Sequence, residues 1–318
     1  MNDADLLRKR FIVLGGKGGV GRTTVAAALA SALARRGRRV LLAQTNAKER
    51  LSRLLGAQTV GPDIVRVRER LWAVNMTPAA ALREYGLMVL RYEAVYKAVF
   101  ENKVTRYFIH AIPGLVEYSM LGKAWYHTTE EVEAGEWRYD TVILDGPATG
   151  HLVAMLRIPA AILSAVPEGP LTRSARLAQE LMTDPDRSSM LLVTLAEDLP
   201  VNEALELYRT VREQLRMSVT RVIVNQVWSD RFTRSDGAAA RVVAALADTE
   251  ARADPTLGPL LARAETARQR RLLNQQYLSQ LAERLPRPQV RLPFLFAKDF
   301  GAAEVEMLSR LLEEELLS

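Results

Sequence analysis

The chain has 318 residues, is 48% hydrophobic and carries a formal net charge of +6, which is enough apolar material for one large buried core. It contains no cysteine, so disulfides, thiolate-held iron–sulfur clusters and cysteine zinc sites are excluded. The 43 basic residues are spread over the whole chain, and this distribution does not favour a nucleic-acid surface.

The N-terminal segment MNDADLLRKRFIVLGGKGG places its acidic residues before its basic ones and continues directly into a strand-like run. A secretory signal would instead begin with a basic region followed by an apolar one. No apolar stretch reaches the roughly 18 residues that a membrane-spanning helix requires. We therefore expect a cytoplasmic protein without a membrane span.

Short apolar runs recur along the chain between longer helical patterns. They are Phe11 to Leu14, Val40 to Ala43, Leu71 to Met76, Thr141 to Leu144, Met190 to Thr194, Val219 to Asn225 and Val290 to Phe294. Apolar strands separated by helical segments are typical of a parallel sheet that is covered by helices on both faces. The sequence therefore predicts an α/β, doubly wound fold in which residues 1–318 form a single domain.

A glycine-rich loop stands between the first predicted strand and an alanine-rich helix. It comprises Gly16, Lys17, Gly18, Gly19, Val20, Gly21, Arg22, Thr23 and Thr24. In this position, consecutive backbone N–H groups converge on phosphate oxygens, and the helix N-terminus adds partial positive charge. The loop matches the pattern G-x-x-x-x-G-K-[ST] with Arg22 in place of lysine. It predicts binding of the phosphates of ATP or ADP, with Thr24 at the α-phosphate.

Residues 78–136 are too many for one crossover helix and predict a helical insertion. The insertion carries Tyr85, Met88, Tyr92, Tyr96, Phe100, Tyr107 and Phe108. Two interpretations are open: these side chains pack the insertion onto the sheet, or some of them face outward and bind a helical client or a second subunit.

The run TVILDGPATGH supplies the second half of the predicted site. Its strand residues end at Asp145, and the carboxyl ends of parallel strands meet at one edge of the sheet. A carboxylate there is suited to hold Mg²⁺ through water, while the Thr23 hydroxyl would bind the ion. Thr23 and Asp145 are therefore the predicted metal residues.

Two motifs identify the family that the chain resembles. K-G-G-V-G-x-T-T, with a lysine directly after the first loop glycine, marks the deviant Walker A group, which includes the MinD and ParA proteins, the nitrogenase iron protein and the ArsA arsenite-pump ATPase. Within it, DGPATGH is similar to the D-x-A-P-T-G-H segment of the ArsA family, to which the eukaryotic tail-anchored-protein targeting ATPase also belongs. The chain most resembles the bacterial ArsA-like proteins that occur as pairs of unequal subunits.

The resemblance implies further site residues. VIVNQV is similar to the family's V-x-N-Q segment, which implies that Asn225 reads adenine. LPFLFAKDFG is similar to the family's loop beside the base, which implies contacts from Pro293 and Phe294. Lys17 is implied to cross a dimer interface and to neutralise charge on the nucleotide of the opposite subunit.

The chain departs from the family at two catalytic positions. Family members end the second strand with D-P-A, whose Asp positions or deprotonates the attacking water. Thr45 and Asn46 occupy this place here, and neither is a general base at neutral pH. Arg22 replaces a compact lysine ammonium with a longer, planar group. Two interpretations of Arg22 are open: either the chain has drifted towards arginine and still uses ATP, or the site is attenuated. Lys17, Arg22 and Asp145 are the implied catalytic residues.

Three functions stand as hypotheses. The first is a dimeric ATP switch whose insertion binds a client such as a hydrophobic helix of a membrane protein, in a heterodimer with a more competent paralogous subunit or in a homodimer. The second is a positioning ATPase of the ParA and MinD kind, which the acidic C-terminal helix disfavours. The third is a scaffold subunit that does not hydrolyse ATP. Arsenite capture is disfavoured because, in the pump family, it uses cysteine thiolates and this chain has none.

Overall fold

The computed structural model describes residues 6–90, 115–229 and 237–317. Its strands are β1 (Phe11–Gly15), β2 (Val40–Thr45), β3 (Val65–Arg68), β4 (Leu71–Met76), β5 (Glu131–Glu133), β6 (Glu136–Trp137), β7 (Thr141–Asp145), β8 (Ser188–Leu195), β9 (Val219–Val227) and β10 (Gln289–Pro293). Its α-helices are α1 (Arg22–Arg35), α2 (Leu51–Leu55), α3 (Pro78–Leu90), α4 (Leu115–Tyr126), α5 (Thr149–Ala165), α6 (Pro170–Thr183), α7 (Asp198–Glu213), α8 (Gly237–Ala247), α9 (Thr249–Ala253), α10 (Leu257–Arg284) and α11 (Ala302–Leu316).

Eight of the strands form one sheet in the order β10, β9, β8, β1, β7, β2, β4, β3. All neighbours are parallel, except that β3 runs antiparallel to β4 at one edge. From β1 the chain first adds strands on one side of the sheet and later continues with β8 on the other. Such a reversal marks the edge where ligands bind in open α/β sheets. The predicted doubly wound α/β class is confirmed.

The two faces of the sheet carry separate hydrophobic clusters. Along β1, Phe11 and Val13 face one cluster, while Ile12 and Leu14 face the other. This alternation follows the two-residue period of a strand. Because helices cover both faces, both sets are apolar, which explains why the central strands are continuous apolar runs.

The helices divide between these two clusters. Buried residues of α1, α2 and α11 belong to the cluster of Ile12 and Leu14. Buried residues of α4, α5, α6 and α7 belong to the cluster of Phe11 and Val13. The alanine-rich α1 buries Ala26 to Ala30 completely, since small side chains allow the helix to lie close to the sheet.

The described ends of the predicted insertion pack against the core. Tyr85 on α3 is buried, and its hydroxyl lies 3.2 Å from that of Tyr118 and 2.9 Å from that of Ser174. On α4, the buried Lys123 forms an ion pair with Glu84 of α3 at 2.6 Å. Tyr85 thus follows the packing interpretation. Five of the aromatic residues singled out in the insertion, Tyr92, Tyr96, Phe100, Tyr107 and Phe108, lie outside the described residues.

Within residues 6–90, 115–229 and 237–317, no helix has the length and apolar character that crossing a bilayer demands. The last part of the predicted insertion contains the short antiparallel pair of β5 and β6, which is separate from the main sheet.

Candidate functional site

The predicted site residues come together at the carboxyl edge of the sheet. The loop of residues 16–24 connects β1 to α1, Asp145 ends β7, and Thr45 ends β2. Asn225 lies in the last part of β9, and Pro293 ends β10. Because these strands are parallel, their ends meet on the same side of the molecule.

Two glycines of the loop are required by the space around them. Gly16 adopts a φ of +157°, and a Cβ there would lie 2.1 Å from the carbonyl oxygen of Val193. Gly21 adopts a φ of +86°, and a Cβ there would lie 2.3 Å from Nδ2 of Asn225. A side chain at Gly16 would collide with the backbone of β8, and one at Gly21 would displace the Asn225 side chain, so both positions favour glycine. The loop is therefore fixed between β8 and β9.

Two other loop glycines, Gly18 and Gly19, face open space, since a Cβ at either would meet no atom within 4 Å. The backbone of this part of the loop is thus free of protein neighbours on that side. A ligand that approaches the loop would reach backbone N–H groups there, as phosphates do in glycine-rich loops.

A hydrogen-bonded group of three side chains lies beneath the loop. The hydroxyl of Thr23 donates to Oδ2 of Asp145 at 2.7 Å, and Nε2 of Gln44 donates to the same oxygen at 3.1 Å. Asp145 is 3% exposed. Its other oxygen, Oδ1, is buried and has no hydrogen-bond partner among the described residues. A buried carboxylate oxygen beside a threonine hydroxyl offers the hard oxygen ligands that Mg²⁺ prefers.

The environment of Asp145 makes its charged form costly in the free protein. Burial raises the pKa of Asp145, and the hydrogen bonds from Thr23 and Gln44 and the charge of Arg22 oppose that shift only in part. A cation at Oδ1 would favour the ionised carboxylate. The residues present therefore fit a magnesium ion.

Gln44 was not predicted. It directly follows the apolar run Val40 to Ala43 within β2, and in the register of the sheet it is paired with Asp145 of β7. A buried polar residue next to Thr45 at the carboxyl end of a strand was the available signal.

Arg22 folds back onto its own loop. Its guanidinium donates from Nη1 to the carbonyl oxygen of Gly16, while its Nε is buried without a hydrogen-bond partner in the described part of the chain. Burial lowers the pKa of the Arg22 guanidinium, and the charge of Asp145 opposes this shift. The charge at this position is thus held against the loop backbone.

Lys17 contacts a residue of its own chain. Its ammonium forms an ion pair with Glu203 of α7, and the two side chains are 32% and 33% exposed. The predicted action of Lys17 on a second subunit stays a prediction. Glu203 had no sequence signal that singled it out, because α7 is far from the loop in the chain.

The residues at the end of β2 are neutral. The Thr45 hydroxyl is buried and donates to the carbonyl oxygen of Asp145 at 2.9 Å. Asn46 is exposed and adopts a φ of +39°. Neither group can take a proton from water at neutral pH.

A cavity of about 440 Å³ adjoins the loop, a size suited to a small ligand. It is lined by Gly19, Gly21, Arg22, Thr23, Thr24, Arg50, Arg53, Leu54, Asn225, Gln226, Pro293, Phe294, Leu295, Phe300 and Leu308. The predicted residues Asn225, Pro293 and Phe294 are thus brought to the same cavity as the loop. The two arginines of the α2 region, Arg50 and Arg53, were not predicted.

The contacts of two cavity residues define what the cavity can recognise. Nδ2 of Asn225 donates to the carbonyl oxygen of Val20 at 2.9 Å, which leaves the amide oxygen as an acceptor. The amide oxygen is suited to accept from the exocyclic amino group of adenine. Phe294 stacks on Trp228 with ring centroids 5.2 Å apart. Its aromatic ring is therefore held in place at the wall.

Comparison with known proteins gives a consistent result. The family profile described as anion-transporting ATPase matches residues 9–168 and 170–243. The chain is 28% identical over 223 residues to ATPase BagA of Mycobacterium tuberculosis, an alignment that covers 68% of this chain and 65% of the relative. It is 26% identical over 264 residues to ATPase GET3 of Kluyveromyces lactis, covering 71% and 74%. The chain therefore spans just under two thirds of the length of the mycobacterial relative.

Proposed function

Because the chain belongs to the family of anion-transporting ATPases, we propose that it binds ATP with Mg²⁺ in the cytoplasm and acts as a dimeric nucleotide switch with attenuated hydrolysis. The observation that carries this proposal is the buried group of Thr23, Gln44 and Asp145 beneath an open glycine loop. The loop offers backbone N–H groups to phosphates, and Thr23 and Asp145 offer oxygen ligands to a cation. The site has no second carboxylate that could act on the attacking water.

Each part of the nucleotide has a partner in the site. The backbone N–H groups at Gly18 and Gly19 bind phosphate oxygens, the amide oxygen of Asn225 accepts the adenine amino group, and Phe294 contacts the base. When bound, Mg²⁺ neutralises charge on the β- and γ-phosphates. Thr23 and Asp145, which are hydrogen-bonded to each other, are the residues that would hold the ion, the threonine by its hydroxyl and the aspartate by its carboxylate.

The attenuation follows from the groups at the end of β2. Water that attacks a γ-phosphate needs a residue that orients it or accepts its proton. Thr45 already donates its hydroxyl to the carbonyl oxygen of Asp145, and Asn46 is a neutral amide. Arg22 donates to the carbonyl oxygen of Gly16. In this position its guanidinium stabilises the loop and is not directed at the phosphate that is transferred. The site is therefore better suited to holding ATP than to cleaving it.

Lys17 is the residue that we assign to the partner subunit. Its side chain is partly exposed, although Glu203 contacts it in the single chain. In a dimer that closes on ATP, Lys17 leaves Glu203 and neutralises the nucleotide of the opposite subunit, as an arginine finger does. The partner is a paralogous subunit with a complete site, or a second copy of this chain. The insertion then binds a hydrophobic helical client.

Isothermal titration with ATP and Mg²⁺ tests nucleotide binding. We expect binding by the chain, and we expect that Asp145→Asn removes most of the strengthening that Mg²⁺ gives. Asp63→Asn serves as the control, since this exposed aspartate lies outside the site. No heat of binding with the folded wild-type chain would refute the switch and leave the scaffold hypothesis.

Phosphate release tests the attenuation. We expect slow turnover by the chain alone, and little gain from Arg22→Lys because the end of β2 still lacks a carboxylate. Turnover of the chain alone at the rate of a family member with a complete site would refute the attenuation.

Copurification of the native protein followed by mass spectrometry tests the partner. Recovery of a paralogous subunit supports the heterodimer, and recovery of this chain alone supports the homodimer. Lys17→Ala should lower the partner's turnover, whereas Lys48→Ala, at an exposed lysine outside the cavity, should not. An equal rate for both variants would contradict the role of Lys17.

A further inference from the structure

We propose that Arg50 and Arg53 form a cationic wall of the nucleotide cavity and bind the α-phosphate of the nucleotide. The inference rests on the proposed nucleotide function and assigns two contacts that the loop motif does not contain. Both arginines line the same cavity as Thr24 and Asn225.

The charge of the cavity calls for an anion. Its lining includes three arginines and no aspartate or glutamate. One of the three, Arg22, is occupied by the carbonyl oxygen of Gly16. The other two, Arg50 and Arg53, have exposed side chains. A cavity with this balance favours a ligand that carries negative charge close to the base.

The acid that stands next to these arginines is engaged elsewhere. Glu49 accepts hydrogen bonds from the backbone N–H of Ser52 at 2.8 Å and from its hydroxyl at 2.7 Å. Neither Arg50 nor Arg53 has an ion pair with a carboxylate among residues 6–90, 115–229 and 237–317. Their guanidinium groups are thus available to a ligand.

The backbone that carries the two arginines is held in place. Leu54 of α2 is 4% exposed, belongs to the core cluster of α1 and lines the cavity as well. On the other side, a Cβ at Gly301 would lie 3.5 Å from the carbonyl oxygen of Arg53, so the segment before α11 packs directly on α2. Arg50 directly precedes α2 and Arg53 lies within it, and both side chains line the cavity.

The position along the nucleotide follows from the other residues of the lining. Thr24, Asn225 and Phe294 line this cavity, as do Gly19 and Thr23 of the loop, whereas Lys17 and Asp145 do not. The cavity therefore holds the base and the sugar and reaches the phosphate loop, where Thr24 marks the α-phosphate and the terminal phosphates extend towards Lys17 and Asp145. Guanidinium groups bind phosphate oxygens through paired, charge-assisted hydrogen bonds. The end of β2 lacks the carboxylate that would act on the attacking water. The segment that follows β2 instead contributes Arg50 and Arg53, which hold the nucleotide.

Isothermal titration of the full chain with ATP, AMP and adenosine tests this assignment. The variant Arg50→Gln/Arg53→Gln should bind ATP and AMP about 100-fold more weakly than wild type, or roughly tenfold for each charge-assisted contact. Adenosine affinity should not change, because adenosine has no phosphate. The matched control, Arg36→Gln/Arg83→Gln, removes the same charge from two exposed arginines outside the cavity and should change each affinity by less than about twofold at physiological salt.

Each other result overturns the proposal. An equal loss in the control would mean that only the net charge matters, and a loss of adenosine affinity would mean that the arginines contact the base. A loss with ATP but not with AMP would place them at a terminal phosphate. If wild type binds ATP and the double variant binds it equally well, the arginines are not contacts although the nucleotide function stands; if wild type does not bind ATP, the function itself fails. Equal melting temperatures verify that both variants are folded.

Discussion

Replacing Gly21 by alanine tests how closely the phosphate loop packs against β9. The new Cβ would lie 2.3 Å from Nδ2 of Asn225, so the Asn225 side chain must move and lose its 2.9 Å hydrogen bond to Val20. The φ of +86° adds a backbone cost of roughly 1–2 kcal/mol for a residue with a side chain. A lost hydrogen bond that leaves a buried group unpaired costs about 1–3 kcal/mol.

The chain contains a matched control for the backbone cost. Gly37 has a φ of +85°, and a Cβ there would meet no atom within 4 Å. Gly37→Ala should therefore lower the free energy of unfolding by the backbone cost alone, about 1–2 kcal/mol. Gly21→Ala should lower it by about 2–5 kcal/mol, the sum of both contributions. It should also abolish ATP binding, because Asn225 and the loop both shift.

Urea denaturation and isothermal titration measure the two effects. The difference between the two variants isolates the contact with Asn225, since the φ angles of the two glycines agree within one degree. Equal losses of stability in Gly21→Ala and Gly37→Ala, with ATP binding retained in both, would refute the packing argument.

Three further predictions follow from charges and buried hydroxyls. Burial raises the pKa of Asp145 above 3.8, so the folded state is favoured by the protonated group at low pH and loses that stability as pH rises through the folded-state pKa. Asp145→Asn, which cannot ionise, should therefore increase the free energy of unfolding of the nucleotide-free chain above that pKa but not below pH 3.8, as measured in urea titrations. Glu203→Gln should release Lys17 and strengthen the ATP-dependent association of subunits about two- to fivefold in sedimentation experiments, because partly exposed ion pairs contribute about 0–1 kcal/mol. Weaker association, or the same gain when the exposed Glu206 is replaced by Gln, would contradict this. Tyr85→Phe should cost about 1–3 kcal/mol of stability, since two buried hydroxyl neighbours lose a partner, with ATP affinity unchanged; an unchanged melting curve would refute it.

The fold could be predicted well because its signals are local. Each of the seven apolar runs corresponds to a strand of the main sheet, since strands buried on both faces must be apolar throughout. The eighth strand, β3, was missed. Its sequence VRVR alternates apolar and charged residues, and it pairs antiparallel with β4 at the edge, where one face remains partly open.

The site could be predicted in part. The loop of residues 16–24, Asp145 and Asn225 carry motifs, and the structure places the loop with Asp145 beneath it and with Asn225 at the adjoining cavity. Gln44 needed the strand register, because it contacts Asp145 only through the pairing of β2 with β7. The contact of Lys17 with Glu203 needed the packing of α7 beside the loop.

The sequence by itself determined the fold class, the phosphate loop and the absence of cysteine chemistry, because periodicity, glycine spacing and composition are properties of neighbouring residues. Only the tertiary structure decided which charges meet. Arg22 turns to the carbonyl of Gly16, and Arg50 and Arg53 line the cavity because Leu54 anchors α2 in the core while the segment before α11 packs on it. The packing of the segment at Gly301 on Arg53 joins residues far apart in the chain, so it depends on how the helices pack on the sheet, and no local pattern specifies it.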